Sequence, residues 1–457
     1  MARVKRSHPW LSSLRLVALD VVALFACGVL ATGLHGYSIL VSNFTALGAL
    51  LVVIVCLIGL SIVGGYDTRR NMGTLRYFSE HVLAMGAVLL LAFVITYSFA
   101  AYNESIKPGR SVLVLALILF VPVSLTYRYS LSRKSDRDAA ARFICVVGTP
   151  GLFAHVRAVC HRESFRHPIQ FLDLATGKKK AESWIAEKSL EEDVEGEQDH
   201  CEAIIADLSA TDLDPEWEEM LLKINQTVPV YPVESFIETY FYKLDLSHVT
   251  LHLALDGTFK SDYHTAYGKV KSLFDAILAG SLVLVLLPLM LLIAVCIKLE
   301  DGGPGLFRQV RVGRFERPFL LYKFRTMTAG TEGENLYTQK ADARITRVGR
   351  LLRLIRLDEL PQLWNVLKGD MSMIGPRAEW DKLVARYAEE IPFYHLRHMV
   401  KPGITGWAQV HYGYGADLSD TREKLQYDLY YIKHYSPEMD ASIVLKTIFT
   451  MLSASGR

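Results

Sequence analysis

Residues 276–299 read AILAGSLVLVLLPLMLLIAVCIKL. The stretch is apolar and long enough to cross a bilayer, which takes about 20 helical residues. Pro288 stands near its centre, where the ring deletes a backbone hydrogen bond and kinks a helix. Both flanks are basic: Lys269 and Lys271 before it, then Lys298, Arg308, Arg311, Arg314 and Arg317 after it. Basic flanks stay on the cytoplasmic side, so a simple span would strand one of them outside. The sequence therefore predicts a re-entrant helix over 272–299, broken at Pro288, that enters and leaves by the cytoplasmic face. An ordinary kinked fifth span is the alternative.

Upstream lie four more apolar runs, 14–34, 46–64, 79–100 and 111–127. Each approaches the length of a membrane span, and together they predict a four-helix transmembrane bundle over 1–135. A cleaved signal peptide is the other reading of the first run, since Arg3, Lys5 and Arg6 precede it. Against it stand the run's length, Asp20 within it and the three spans that follow. The amino terminus, the second loop (Arg69, Arg70, Arg76) and the segment after the fourth run (Arg128, Arg133, Lys134, Arg137) are basic. The first loop has no Lys or Arg, so both ends of the bundle are expected in the cytoplasm. Asp20 is the acid well inside a span, and it is expected to pair with Arg15 or with a neighbouring helix.

Composition agrees. Of 457 residues 51% are hydrophobic and 21% charged, and mean hydropathy is +0.21. A disordered chain is excluded and a wholly soluble one disfavoured. The 50 Lys and Arg nearly balance 48 Asp and Glu, leaving +2, so nucleic acid is not an expected partner. Six cysteines are scattered without a C-x-x-C pair, which fits a reducing compartment rather than a disulfide framework or a zinc site.

From about 139 to 250 short apolar runs alternate with amphipathic stretches. Strands are expected at Phe143–Val147, Ile169–Leu174, Ala203–Leu208 and Val228–Val233, with helices from the Gly148-Thr-Pro-Gly151 turn to about His161 and over Asp214–Asn225. This is the pattern of a small parallel α/β domain. Its first turn approaches the dinucleotide fingerprint, but Pro150 replaces the second glycine and removes an N–H donor. A degenerate Rossmann-like domain serving regulation or dimerisation, with no NAD bound, is the preferred reading. The acidic run from Glu187 to Glu202 reads as a solvated loop.

Between Arg308 and Arg356 twelve Lys and Arg face four acids. Arg344, Arg347, Arg350, Arg353 and Arg356 recur every third residue around an apolar stripe, the pattern of an interfacial helix with arginines among phosphates. Asp358 and Glu359 follow, then Pro361, which is tolerated in a helix's first turn; the pair is expected to open a helix over Leu360–Leu367. Two adjacent carboxylates in a basic pocket can divide labour between nucleophile and ligand of a hard divalent ion. A helix cap with a surface acid is the plainer alternative.

The stretch Leu357-Asp-Glu-Leu-Pro-Gln-Leu-Trp-Asn-Val-Leu-Lys-Gly-Asp-Met-Ser-Met-Ile-Gly-Pro-Arg377 resembles the signature of bacterial polyprenyl-phosphate hexose-1-phosphate transferases. Lys323-Phe-Arg-Thr-Met327, Lys401-Pro-Gly-Ile-Thr-Gly-Trp-Ala-Gln409 and the block around Asp428 also match, so the resemblance covers 265–457. Four spans and a Rossmann-like domain ahead of it resemble the large, dimeric members, and His411-Tyr-Gly-Tyr-Gly415 resembles the exopolysaccharide branch associated with the exosortase system.

The resemblance implies a monotopic catalytic domain on the cytoplasmic face of the bacterial inner membrane. It would transfer a hexose-1-phosphate from a UDP-sugar to undecaprenyl phosphate and release UMP. Asp358 would carry the phosphosugar covalently, and Glu359, with Asp358, would hold Mg²⁺ or, in its place, Mn²⁺. Lys323, Arg325, Arg353 and Arg377 would cradle phosphates, and Asp428 and Asp440 would serve either chemistry or the fastening of the carboxy-terminal segment. Pro288 matches the family's break in the re-entrant helix. Three positions depart from the pattern: Leu287 where serine is common, Ala378 in a usual Pro-Arg-Pro, and His411-Tyr412 where Gly-Arg is frequent. The sugar implied is glucose first and galactose next. A membrane-bound nucleotide-sugar dehydratase or epimerase is the alternative, with Tyr267 and Lys271 as its Tyr-x-x-x-Lys pair.

Overall fold

Long apolar runs fold as helices at the amino-terminal end, one of them through Pro122. A computed structural model of the protein describes residues 9–34, 53–61, 64–66, 72, 75–100, 109–140, 142–163, 165, 167–173, 200–206, 215–226, 228–259, 265–328, 344–413 and 417–452. The chain divides into two compact units, Met1–Tyr242 and Lys243–Arg457. The amino-terminal basic cluster, Arg69, Arg70 and the acidic run before His200 lie outside the described residues.

In the first unit, α1 (Pro9–Leu34), α2 (53–61), α3 (Leu75–Ala100) and α4 (Gly109–Ala140) stand on the four expected runs. Leu14–Leu34 and Val112–Arg133 are long and apolar enough to cross a membrane, and Tyr77–Phe93 is a shorter apolar helix. Of the second run, 46–52 and 62–63 lie outside the described residues. All four helices contribute to one core: Leu24 and Cys27, Cys56 and Leu60, Met85 and Val88, Leu117 and Phe120. Large apolar side chains also face outward, Val22 at 65% exposure and Phe25 at 72%, as a lipid-facing surface requires.

Asp20 pairs not with Arg15 but with a neighbouring helix, through Arg128 of α4. Arg128 donates Nη2 to Oδ2 at 2.6 Å and Nη1 to Oδ1 at 2.7 Å, Tyr127 donates its hydroxyl to Oδ1, and the pair is fully buried. A neighbouring helix satisfies the acid because the bidentate fork spans both oxygens, which Arg15 does not do.

The α/β region follows the expected strands. β1 (Arg142–Gly148), β2 (Ile169–Asp173), β3 (His200–Ala206) and β4 (Val230–Pro232) form one parallel sheet in the order β2-β1-β3-β4. Alternate residues feed two cores. Cys145, Val147 and Ile204 pack on Trp217, Met220 and Leu221 of α6 (Pro215–Ile224). Ile144, Val146 and Ile205 pack on Val156 and Cys160 of α5 (Pro150–Arg162) and on Phe236 of α7 (Val233–Phe241). At the turn after β1 the Thr149 hydroxyl accepts from Leu152 N, and Pro150 opens α5. The first-turn amides are thus capped by the chain itself.

The second unit begins at Lys243, whose ammonium is paired with Glu423, and includes the short helix α8 (Leu251–Leu255). Then comes α9 (Ala266–Asp301), which carries the apolar stretch and runs uninterrupted through Pro288. The predicted break is therefore not an interruption of the helix: proline forfeits one bond to the preceding turn, and its neighbours keep theirs. Ala279 of the first arm packs with Leu363, Val366 and Met371, while Ile293 and Ile297 of the second arm pack with Phe324 and Leu352. An antiparallel hairpin follows, β5 (Leu306–Val312) with β6 (Pro318–Phe324). After α10 (Arg347–Leu354) come α11 (Gln362–Lys368), β7 (Ser372–Ile374), α12 (Asp381–Glu390), β8 (Gly403–Thr405), α13 (Trp407–His411), α14 (Leu418–Lys433) and α15 (Pro437–Leu452). β7 and β8 pair in parallel.

The arginine-rich helix is shorter than the spacing suggests. Thr346 caps α10, and Val348 and Leu352 turn inward while Leu351 and Leu354 remain exposed. Arg356 then adopts a positive φ of 55°, which ends the helix and reverses the chain.

Candidate active site

Asp358 and Glu359 lie in a single 3-10 turn, Leu357–Glu359, and α11 starts only at Gln362. The sequence placed the pair inside the opening of that helix; the left-handed residue at Arg356 instead puts it in the bend between α10 and α11. The bend is fastened to the hairpin by Asn365, a fully buried side chain on α11. Its Nδ2 donates to Leu320 O (2.7 Å) and its Oδ1 accepts from Tyr322 N (3.1 Å). Strand alternation then turns Lys323 and Leu321 of β6, with Arg311 of β5, to one face of the hairpin.

These elements enclose a narrow cleft of about 40 Å³ lined by Arg311, Leu321, Lys323, Asp358, Glu359, Gln362, Met371, Arg377, Ala378 and Gly403. Three cations thus face two carboxylates. Among the described residues no group donates a hydrogen bond to Asp358, and the Lys323 ammonium donates none; it stands 4.8 Å from the Phe307 ring. Arg377 is 47% exposed and reaches Glu359 Oε1 through Nη1 and Nη2, both at 3.2 Å.

Burial governs the protonation states here. It pushes the Asp358 carboxyl up, as does the neighbouring Glu359 charge, while Lys323, Arg353 and Arg377 oppose the rise. Burial, then the nearby Arg311, brings Lys323 down to about 8. Arg311 is lowered to about 10, again by burial first. Glu359 leads the causes that raise Arg377. Among the described residues, a carboxylate that receives no hydrogen bond beside an ammonium that donates none, in a half-buried basic cleft, is suited to nucleophilic attack on a phosphoryl group.

Of the expected site residues, Asp358, Glu359, Lys323 and Arg377 line the cleft and four do not. Arg325 is buried and paired with Asp301 at the end of α9. Arg353 donates Nε to Thr326 Oγ1 at 2.8 Å, close enough for its charge to favour ionised Asp358. Asp428 accepts from Arg397 Nη2 at 2.8 Å, buried. Asp440 accepts from Tyr267 and Lys271, both at 2.6 Å, and from Tyr431 at 2.8 Å. The first two contacts leave the dehydratase alternative without support: Tyr267 and Lys271 are committed to a buried carboxylate.

Arg311, Gln362 and Asn365 were not singled out by the sequence as site residues. The strand alternation of Phe307, Gln309 and Arg311 opposite Lys323 would have brought Arg311 forward had the hairpin register been known. Among the described residues no cluster of three or more His, Cys, Asp or Glu gathers. A cation in the cleft would thus rest on Asp358, Glu359 and a ligand's own phosphates. A larger hollow, about 640 Å³, lies in the α/β region between α5 and β2 and has no carboxylate in its lining.

Residues 266–454 match the model of a protein family described as bacterial sugar transferase. The chain belongs to this family. It is 45% identical over 257 residues to the UDP-N-acetylgalactosamine-undecaprenyl-phosphate N-acetylgalactosaminephosphotransferase of Aeromonas hydrophila, covering 56% of this chain and 60% of that one. It is 42% identical over 186 residues to the UDP-glucose:undecaprenyl-phosphate glucose-1-phosphate transferase of Caulobacter vibrioides, covering 40% and 70%. An exopolysaccharide production protein of Rhizobium leguminosarum is 40% identical over 191 residues, covering 40% and 96%. The match to the Aeromonas protein thus spans 60% of that relative's length.

Proposed function

We propose that the protein transfers a hexose-1-phosphate from a UDP-sugar to undecaprenyl phosphate. The observation that carries this reading is the unpartnered Asp358 carboxylate in a cleft with Arg311, Lys323 and Arg377. An Asp358 oxygen attacks the sugar-bearing phosphorus, and the bond from that phosphorus to the bridging oxygen breaks. UMP leaves with the electron pair. A phosphate oxygen of undecaprenyl phosphate then attacks the same phosphorus, and the Asp358 carboxylate leaves unchanged. Lys323 and Arg377 hold the phosphate oxygens, where charge gathers in each transition state.

The donor set fits a hard divalent ion: two carboxylates with, among the described residues, no hydrogen bond to Asp358 and two long ones to Glu359. Glu359 and Asp358 would hold Mg²⁺, or Mn²⁺ in its place, and the ion would supply charge that neutralises the substrate's phosphates.

The same reading puts the catalytic unit on the cytoplasmic face of the inner membrane, in a homodimer that starts exopolysaccharide assembly, in the branch associated with the exosortase system. A re-entrant course for α9 is supported by the docking of both its arms on one unit. Asp275 accepts from Ser372 at 2.6 Å before the apolar stretch, and Asp301 pairs with Arg325 after it. A straight crossing would put those two anchors on opposite sides of the hydrocarbon core, about 30 Å thick, out of reach of one cytoplasmic unit.

The test is UMP release from undecaprenyl phosphate and a panel of UDP-sugars, including glucose, galactose and N-acetylgalactosamine, for wild type and Asp358→Asn. UMP from the wild type alone supports the covalent step. Release of UDP would refute it and point to an ordinary glycosyl transfer.

A further inference from the structure

The turn Pro376–Glu379 carries Arg377 into the cleft, and its four successive carbonyls are all engaged from outside it. Pro376 O accepts from Gly403 N (2.9 Å) and Glu379 O from Val312 N (3.1 Å). Arg377 O accepts from Arg397 Nη2 (3.0 Å), and Ala378 O from Arg311 Nη1 (3.0 Å). Arg397 is buried and lines no part of the cleft. Its guanidinium holds three partners at once: Arg377 O, Asp428 Oδ2 (2.8 Å) and, through Nη1, the Tyr394 hydroxyl (2.6 Å).

We propose that Arg397, oriented by Asp428 and Tyr394, is a positioning residue that pins the Arg377 backbone and so sets the Arg377 guanidinium beside Glu359 and Asp358. This rests on the phosphate-binding role proposed for Arg377 above. Among the described residues the hydrogen-bonded route from Asp428 to this turn runs through Arg397, which explains how an acid outside the cleft can matter to the chemistry. A planar fork is needed because three acceptors in different directions must be met from one group; a lysine ammonium on a flexible stem does not hold that geometry. Displacement of a phosphate ligand by about 1 Å can cost about 10²-fold in rate.

Stiffening the turn by another route should relieve the dependence on Arg397. Ala378 offers the route. Among the described residues its N–H makes no close hydrogen bond, only the weak return contact to Gly403 O that completes the Arg377–Gly403 bridge, so proline there gives up little. Arg377 already forms an isolated β-bridge with Gly403, the extended backbone that a following proline favours.

The experiment is a double-mutant cycle on the full-length protein in mild detergent: wild type, Arg397→Lys, Ala378→Pro and the pair. It reads kcat/KM for UMP release, melting temperature and amide exchange in peptides covering 375–380. Arg397→Lys is expected to lose about 10²-fold in kcat/KM, with faster exchange at 375–380. In the Ala378→Pro background the same change is expected to cost less than about 10-fold, because the two substitutions act on one turn. Asp428→Asn is expected to reproduce Arg397→Lys and to add little to it, and it takes over the test if Arg397→Lys does not fold. Wild-type kcat/KM in Arg397→Lys, an equal loss in both backgrounds, or unchanged exchange at 375–380 would each overturn the proposal. If the wild type releases UMP from no UDP-sugar, the transferase reading falls, while exchange at 375–380, which needs no substrate, still decides whether Arg397 holds the turn.

Discussion

Lys323 and Asp358 show how burial sets reactivity in this cleft. Burial favours the neutral amine, so the Lys323 proton, held to above pH 10 in a free side chain, is half lost at about 8. The protonated form, to which the proposed phosphate-binding role belongs, is present below that value and disappears above it. We expect kcat/KM to fall as pH rises through about 8, and Lys323→Arg to move that limb upward; a pH profile of both proteins checks it. A flat profile from 7 to 9.5 would exclude Lys323 as a phosphate ligand. Asp358→Asn keeps the shape and removes the proposed nucleophile, and is expected to lose at least about 10³-fold in UMP release, about 4 kcal/mol of barrier. Arg325 and Asp440 look like site residues by motif, yet their charges are spent on Asp301 and Lys271. Conservative changes there should lower the melting temperature before they alter the pH profile.

At the level of elements, ion pairs fasten helices that hydrophobic packing alone leaves free to slide. Asp20 on α1 and Arg128 on α4 are fully buried and joined at 2.6 Å. Removing one partner of such a pair strands the other, at a cost of about 3–5 kcal/mol. Asp20→Asn should therefore lower the thermal stability of the purified protein, while Asp20→Leu with Arg128→Met should restore much of it. UMP release per folded molecule should stay near wild type, since the pair lies outside the catalytic unit. In that unit Asn365 has the corresponding task, joining α11 to β6 so that the Asp358 bend faces Lys323.

For the whole molecule, the division at Tyr242 and Lys243 bears on which part does the chemistry. Lys243 pairs with Glu423, and Leu244 N donates to Gln426 O (3.1 Å), so residues just past the boundary fasten α14. A fragment 243–457 should release UMP in detergent, whereas one starting at 260 should be markedly less stable; activity and melting curves of both fragments distinguish them. Thorough EDTA treatment should abolish turnover and added Mg²⁺ or Mn²⁺ restore it, and turnover that survives chelation would remove Glu359 from metal binding. A cysteine placed after Arg457 should resist membrane-impermeant label applied from the periplasm if α9 re-enters the cytoplasmic face.

Properties that a short window of chain can express were legible in the sequence. Apolar run length marked α1, α4 and α9, short apolar runs alternating with amphipathic stretches marked the four parallel strands, and the Gly148-Thr-Pro-Gly151 turn marked the start of α5. The Asp358–Glu359 pair was visible because it lies in the 357–377 signature, which also supplies Gln362, Met371 and Arg377 to the cleft. What only the tertiary structure decided is the pairing of charges far apart in sequence. Lys271 meets Asp440 across 169 positions and Asp20 meets Arg128 across 108. Arg311 enters the cleft because the β5–β6 register turns it there, and Arg325 stays out because Asp301 takes it. A lone arginine carries the same charge wherever it stands. Whether it meets a substrate phosphate or a buried carboxylate depends on how the elements dock, which no spacing along the chain encodes.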